Sequence, residues 1–357
     1  MFDNYRLVLF SAYILLLACI AILTFTNNSK AIAFKKFYWI VASPLIVYSI
    51  IRPFPLMRDD PGYLDFFVRE NLDFVLYQTK IITDPLYHFV LYLFKKIYND
   101  SQILLLIAGI VLYVKLWIIS HFPQKVIFLS LLTYTCLYYQ LHDLTQLRAS
   151  MAAMFFLVAL HFLYYNKKKL TNIYLGLSFL SHASAILNFF MMFFSKYFTS
   201  KKILYLTFVI VIFISWLDLY PSVKIFEELT SSYIPTNGNI LHKLRSYYLL
   251  SEMGVYNNKF NPPLIFLVLT ACYSIVLLEI DIKKPINKFI IASFFIATVI
   301  GFFFNSLQDI QVRLYEFYFI SGLFLIRQAK SKASLIFVIF LSMMYFIKFN
   351  IRSQIGI

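Results

Sequence analysis

Apolar runs of about 20 residues, each sufficient for one helical crossing of a bilayer, recur along this chain from end to end. A soluble domain is about 45–50% apolar and about 25% charged. This chain is 61% hydrophobic and 14% charged, which leaves no room for a large soluble domain. Transmembrane β-barrel strands alternate apolar and polar residues, and these runs do not. The sequence therefore predicts an all-α fold, a polytopic transmembrane helical bundle with residues 1–357 as one integral membrane domain. The first run, "RLVLFSAYILLLACIAILTF", opens on Arg6 with Asp3 in front and has no small-residue cleavage site behind it, so it reads as a retained helix and not as a signal peptide.

The net charge of +15 would point to nucleic acid in a soluble protein. Here the Lys residues sit between apolar runs and no basic–aromatic surface module is present, so no nucleic-acid partner is expected. Cys19, Cys136 and Cys272 all lie within apolar runs and read as small buried hydrophobes. With no His-x-x-His, Cys cluster or Asp-x-Asp, no metal and no cofactor are expected.

Short Lys clusters, "NNSKAIAFKK", "NKKKL", "SKYFTSKK", "DIKKPINK" and "RQAKSK", together with Lys125, hold sixteen of the thirty-two Lys and Arg residues but one acid, Asp281. The positive-inside rule makes these segments cytoplasmic. The acid-bearing segments 53–101 and 221–261, with short turns near 142 and 305–312, are then outside. Alternation gives spans near 5–26, 37–52, 102–120, 126–141, 145–166, 203–220, 262–280, 288–304, 313–328 and 333–350, with both termini outside. "DPLYHFVLYLFKK" starts and ends outside and is expected to be a re-entrant or interfacial helix. Segment 170–195 starts and ends inside, so it should turn back near "SHAS" as a re-entrant hairpin. Each of its arms rises only about 18 Å, and irregular backbone at that depth must face protein or water. A cavity at His182 follows. The loop 221–261, with turn signals at Pro235 and Asn237-Gly238, is longer than a mere connector needs to be.

Helical rise places Arg148 about 28 Å above the inner boundary at Lys167, Arg52 about 24 Å above Lys36, Arg313 about 21 Å above Arg327, and His182 about 20 Å above Lys169. All four belong to the outer leaflet or its edge. A lone Arg near a helix end can snorkel to the headgroups with no further role. Several such residues at one level on different spans favour a shared polar pocket, because intramembrane ionisable groups are costly. Arg presents a planar fork of donors matched to phosphate oxygens, and the outer face of a bacterial inner membrane offers polyprenyl diphosphate carriers loaded with sugars. In "RPFPLMRDDPGYLDFF", Asp59 and Asp60 either shape the Pro-Gly turn that follows, act as a general base, or pair with Arg52 or Arg58. His142 and Asp143 are expected to be solvated at an outer turn, and His161 to be a hydrogen-bonded core histidine. Glu316, one turn from Arg313, is placed to orient it.

The order of these elements resembles a known family. Arg52 ends the second span. An Asp/Tyr element with Tyr63 follows, and then an acid-Pro helix start. "QLRASMAAMFFLVALHFLYYNKKKL", "LSFLSHASAIL" and "QDIQVRLYEFYF" come in turn. This is similar to the EpsG-like branch of Wzy-type polysaccharide polymerases, over roughly residues 40–325. The family's helix-start Arg falls on Arg148, its His-x-Ser element on His182 and Ser184, and its Arg-Leu-x-x-Tyr-like element on Arg313. The family commonly has Gln where this chain has Ala149, and Gly-Thr-Asp-Tyr where it has "RDDPGY".

The resemblance implies a glycosyltransferase-C-like bundle of about 10–12 spans in the bacterial inner membrane. It also implies an O-antigen or related polymerase that uses undecaprenyl-diphosphate-linked oligosaccharide among membrane lipids, with a chain-length regulator protein as a further partner. Arg52, Arg58, Arg148 and Arg313 would hold the diphosphate. Asp59, Asp60 or His182 would be catalytic, and Tyr63, Ser184 and Glu316 supporting. Three rivals stand beside this reading. A flippase or transporter would carry charge through the middle of the bundle and show related halves. A membrane acyltransferase would use His182 as a lone base. A transferase using a polyprenyl monophosphate sugar would use Asp59 or Asp60 as its base.

Overall fold

The computed structural model describes residues 4–26, most of 31–210, 279–303 and 319–355. Every regular element among them is helical. The helices are α1 (Asn4–Thr26), α2 (Ala31–Ile51), α3 (Asp60–Arg69), α4 (Pro85–Ile97), α5 (Ile103–Ser120), α6 (Gln124–Tyr134), α7 (Leu147–Tyr164), α8 (Lys168–Ser181), α9 (Leu187–Ser195), α10 (Pro285–Phe303), α11 (Leu323–Ile326) and α12 (Lys332–Ile355). Residues 8–26, 103–120 and 147–164 are long and apolar enough to cross a membrane.

The chain divides into two compact units, one of residues 1–189, 275–280 and 320–357 and the other of 190–274 and 281–319. In the second, α10 is preceded by Asp281, whose carboxylate accepts from the Lys283 N–H at 2.9 Å and whose carbonyl accepts from Asn287 at 2.7 Å. In the first unit α1 packs on α6, α2 on α5, α5 on α7, and α7 on α8. Gly109 of α5 permits the approach of α2: a Cβ there would lie 2.5 Å from Cγ1 of Ile50, two residues before Arg52. Small residues serve helix packing in this way where lipid supplies no hydrophobic drive.

α3 and α4 cover one end of this unit. Tyr63 and Phe67 from α3 and Tyr87 and Leu91 from α4 join Ile103, Leu104 and Leu147 at the starts of α5 and α7 in one buried cluster. Lys95 of α4 closes the end of α3, donating to the carbonyls of Phe67 at 2.6 Å and Glu70 at 3.1 Å, as cations do at helix C-termini.

Local structure departs from the sequence reading at four places. The expected Pro-Gly turn after Asp60 is the first turn of α3, with Pro61 at a position where its missing N–H would have no helical partner anyway. The span expected at 126–141 is α-helical only to Tyr134 and continues as a π-helix over Thr135–Asp143. His142 and Asp143, expected to be solvated, are 0% and 2% exposed: they end the π-helix, where Asp143 is enclosed by Lys115, Tyr134 and Ser150 and His142 packs on the Tyr138 ring. Cys19 is exposed while Cys136 is buried; a helix face turned to lipid needs no protein over it.

His161 is buried as expected, but it is packed among rings. His121, Tyr165 and Trp117 lie 5.6, 5.1 and 5.9 Å from it, and its Nδ1 has no hydrogen bond. The nearby Arg327 guanidinium stacks 3.6 Å from the Tyr164 ring centre.

Candidate active site

α8 stops at Ser181, and His182 takes an extended conformation before a 3-10 turn over Ala183–Ile186, which contains Ser184. The chain folds back there: the Asn188 amide donates to Ser178 Oγ at 3.4 Å, and the Phe179 and Phe189 rings are 6.4 Å apart. An unbroken helix would separate residues ten apart by about 15 Å. The break exposes the His182 side chain to 32%.

The partner of His182 is Asp84, the residue before α4. An Asp at this N-cap position ordinarily accepts from the N–H groups of its own helix. Asp84 makes no such bond and has left-handed backbone, φ 54°, a conformation Asp tolerates better than most residues. Its carboxylate is spent across the fold. Oδ2 accepts from Arg148 NH1 at 2.7 Å. Oδ1 lies 3.2 Å from His182 Nδ1 and accepts from the Ala183 N–H at 3.0 Å. Asp84 is 3% exposed in its side chain and Arg148 25%. Burial by itself raises the Asp84 pKa, but the hydrogen bond and charge of His182, the charge of Arg148 and the Ala183 N–H outweigh it and hold the carboxyl below its usual range. An ionised carboxylate only accepts, so Nδ1 carries a proton, and in the neutral tautomer that this selects Nε2 is the acceptor.

Arg148 is the second residue of α7. Its guanidinium lies over the Phe66 ring at 4.9 Å, and its backbone N–H donates to the Tyr63 hydroxyl at 3.4 Å. Burial raises the pKa of Tyr63, against a lowering by Arg148, so the hydroxyl stays protonated. Phe66 is fixed from its other neighbour, the His88 ring, at 5.3 Å edge-on. His88 is in turn 2.8 Å from Glu70, both side chains at most 1% exposed.

Tyr63 also lines a small cleft with Arg52, Asp60, Leu144 and Leu147. Arg52 and Asp60 form a two-pronged pair there, at 2.6 and 2.9 Å, with side chains 4% and 2% exposed. Arg52 also donates to the Leu144 carbonyl at 3.1 Å, and Asp60 accepts from the Met57 N–H at 2.9 Å. Asp59 precedes α3, its carbonyl accepting from the Tyr63 N–H at 3.2 Å. The structure therefore brings Arg52, Asp60, Tyr63, Arg148 and His182 into one neighbourhood. Arg58, Arg313, Glu316 and the loop 221–261 lie outside the described residues. No three His, Cys, Asp or Glu side chains among the described residues converge as a metal-ligand set.

The sequence reading passed over the residue that joins the centre. Asp84 was legible only as an acid before a proline. It also passed over Lys115, a lone charge in the apolar run "ILLLIAGIVLYVKLWIIS", although an intramembrane charge is itself a signal. Lys115 is 0% exposed and donates to Asp143 at 2.6 Å and Ser150 at 2.7 Å. Ser150 donates to the same Asp143 oxygen at 2.6 Å, and the Tyr134 hydroxyl donates to the other.

Fold and site together define a polytopic helical membrane protein with a partly exposed arginine–carboxylate–histidine centre built on a buried aspartate. The chain belongs to the EpsG family, whose model matches residues 37–355. That family is exopolysaccharide- and O-antigen-polymerase-like. Searches of curated proteins and of solved structures give no match.

Proposed function

We propose that this protein is an O-antigen or related polysaccharide polymerase. It would transfer a growing glycan from undecaprenyl diphosphate to the non-reducing end of a lipid-linked repeat unit at the outer side of the bacterial inner membrane. The observation that carries this reading is the bridge by which Asp84 holds Arg148 and His182 on one carboxylate.

In the proposed reaction His182 Nε2 takes the proton of the acceptor hydroxyl. The acceptor oxygen forms the new glycosidic bond as the bond from the donor sugar to the carrier diphosphate breaks. Arg148 meets the charge that develops on the leaving diphosphate, an interaction most effective in the transition state. Asp84 positions both groups and keeps the imidazole in the required tautomer. Asp60 serves as the fixed counter-charge of Arg52, since its two oxygens are already engaged. Tyr63 and Ser184 support the two sides of the centre. Arg58 and Arg313 retain their expected place on the diphosphate and Glu316 a supporting one, while Asp59 stays a candidate catalytic carboxylate. A chain-length regulator is proposed as partner.

A deletion strain tests this reading. A glycan ladder that collapses to single capped repeats supports a polymerase. Loss of all surface glycan with accumulated carrier would instead indicate a flippase. For the sidedness, single cysteines at Asn99 and Lys284 in a background lacking the native cysteines are exposed to a membrane-impermeant thiol reagent on whole cells. Only position 99 should react.

A further inference from the structure

We infer that Lys115 is a positioning residue for the polymerase reaction, setting where Arg148 faces the substrate. The inference rests on the function proposed above. Lys115 grips both ends of the segment 143–150, Asp143 at one end and Ser150 at the other, and these two are also bonded to each other. Between them the segment carries two contacts of the centre: the Leu144 carbonyl that receives Arg52, and the Arg148 N–H that meets the Tyr63 hydroxyl. Arg148 itself projects to Asp84 from this segment.

The segment begins on the last residue of a π-helix and ends in the first turn of α7, with irregular backbone at 144–146 between them. Such a stretch needs an external fix to hold one conformation. A buried lysine with two oxygen partners supplies it from a different helix, α5. The ammonium, Asp143, Ser150 and Tyr134 satisfy one another without solvent, as a buried polar network must. A shift of about 1 Å in a group that positions substrate can cost about 10²-fold in rate, so the clamp would act on turnover through Arg148 without touching the substrate.

A merely structural ion pair makes a different prediction, and two variants separate the cases. Ser150→Ala keeps the Lys115–Asp143 pair and removes the grip beside Arg148. The double variant Lys115→Met/Asp143→Leu removes the charges together, which is often neutral for folding. Purified full-length protein is assayed for thermal midpoint and for kcat and KM on lipid-linked repeat units.

Ser150→Ala is expected to keep a near-native midpoint while kcat falls about tenfold and KM changes less than about threefold. The double variant, when folded, is expected to lose about 10²-fold in kcat. Native kcat in Ser150→Ala, or in a folded double variant, overturns the inference. So does a fall in midpoint for Ser150→Ala with kcat preserved. Should the double variant not fold, Ser150→Ala decides alone. If the wild type itself elongates no glycan, the proposed function fails, a result distinct from failure of the clamp.

Discussion

Asp84 divides its carboxylate between two residues far apart in the chain: Oδ2 receives Arg148 at 2.7 Å, while Oδ1 stands 3.2 Å from Nδ1 of His182. The division makes Asp84 the most sensitive point of the centre. Asp84→Asn keeps the shape but loses the charge and can offer N–H where Nδ1 needs an acceptor. The imidazole is then free to adopt the tautomer that protonates Nε2. Polymer formation should fall about 10²- to 10⁴-fold, the usual range for general-base assistance, at normal protein levels. Silver-stained glycan ladders check this, and a full ladder from Asp84→Asn would falsify the proposed role of His182.

The pH dependence of stability follows from the same residue. The folded pKa of Asp84 lies below its ordinary value. Its ionic contribution is therefore complete above the unfolded value of about 3.9 and is lost as pH falls through the folded value. Asp84 stays ionised between pH 5 and pH 8, so its own titration leaves the stability difference between wild type and Asp84→Asn unchanged there. It should shrink only below about pH 4. Thermal midpoints below pH 5, measured on purified protein, test the sign; a difference that grows as pH falls below about 4 contradicts the assignment.

Arg148 combines a carboxylate bond, a ring contact with Phe66 and partial exposure. Lysine keeps the charge but not the planar fork or the stacking face. Arg148→Lys should be nearly as inactive as Arg148→Ala. A snorkelling arginine would tolerate lysine, so a wild-type ladder from Arg148→Lys at normal abundance returns the residue to that simpler role.

Arg52 and Asp60 form a buried pair with two parallel hydrogen bonds. Removing either charge strands the other away from water, at a cost of about 3–5 kcal/mol. Asp60→Leu and Arg52→Leu should each lower the thermal midpoint strongly, and the double variant should be less destabilised than the sum of the two. Additivity of the two effects in a double-mutant cycle would mean that the pair is not coupled.

Membrane residence, the all-α class and most helix positions among the described residues were legible in the sequence because they depend on local composition; most of the spans expected at 203–220 and 262–280 and the start of 313–328 lie outside those residues. An apolar run of sufficient length forms a helix in lipid whatever the rest of the chain does, since its backbone groups must be satisfied within the segment. The break at "SHAS" was legible for a related reason: the spacing of two Lys clusters does not fit a single crossing. Arg52, Arg148 and His182 stood out as polar groups in apolar surroundings, which is again a local signal.

Only the tertiary structure decided how those groups are used. Asp84 is 64 residues from Arg148 and 98 from His182, and no periodicity relates them. Asp143 is enclosed by Lys115, Tyr134 and Ser150 from α5, α6 and α7, so a residue polar by composition became interior by packing. The same packing delivered Lys115 to Asp143, 28 residues away. Burial and pairing arise between helices that the chain order does not place side by side, and a charge in a low-dielectric interior takes its chemical role from the partner it finds there.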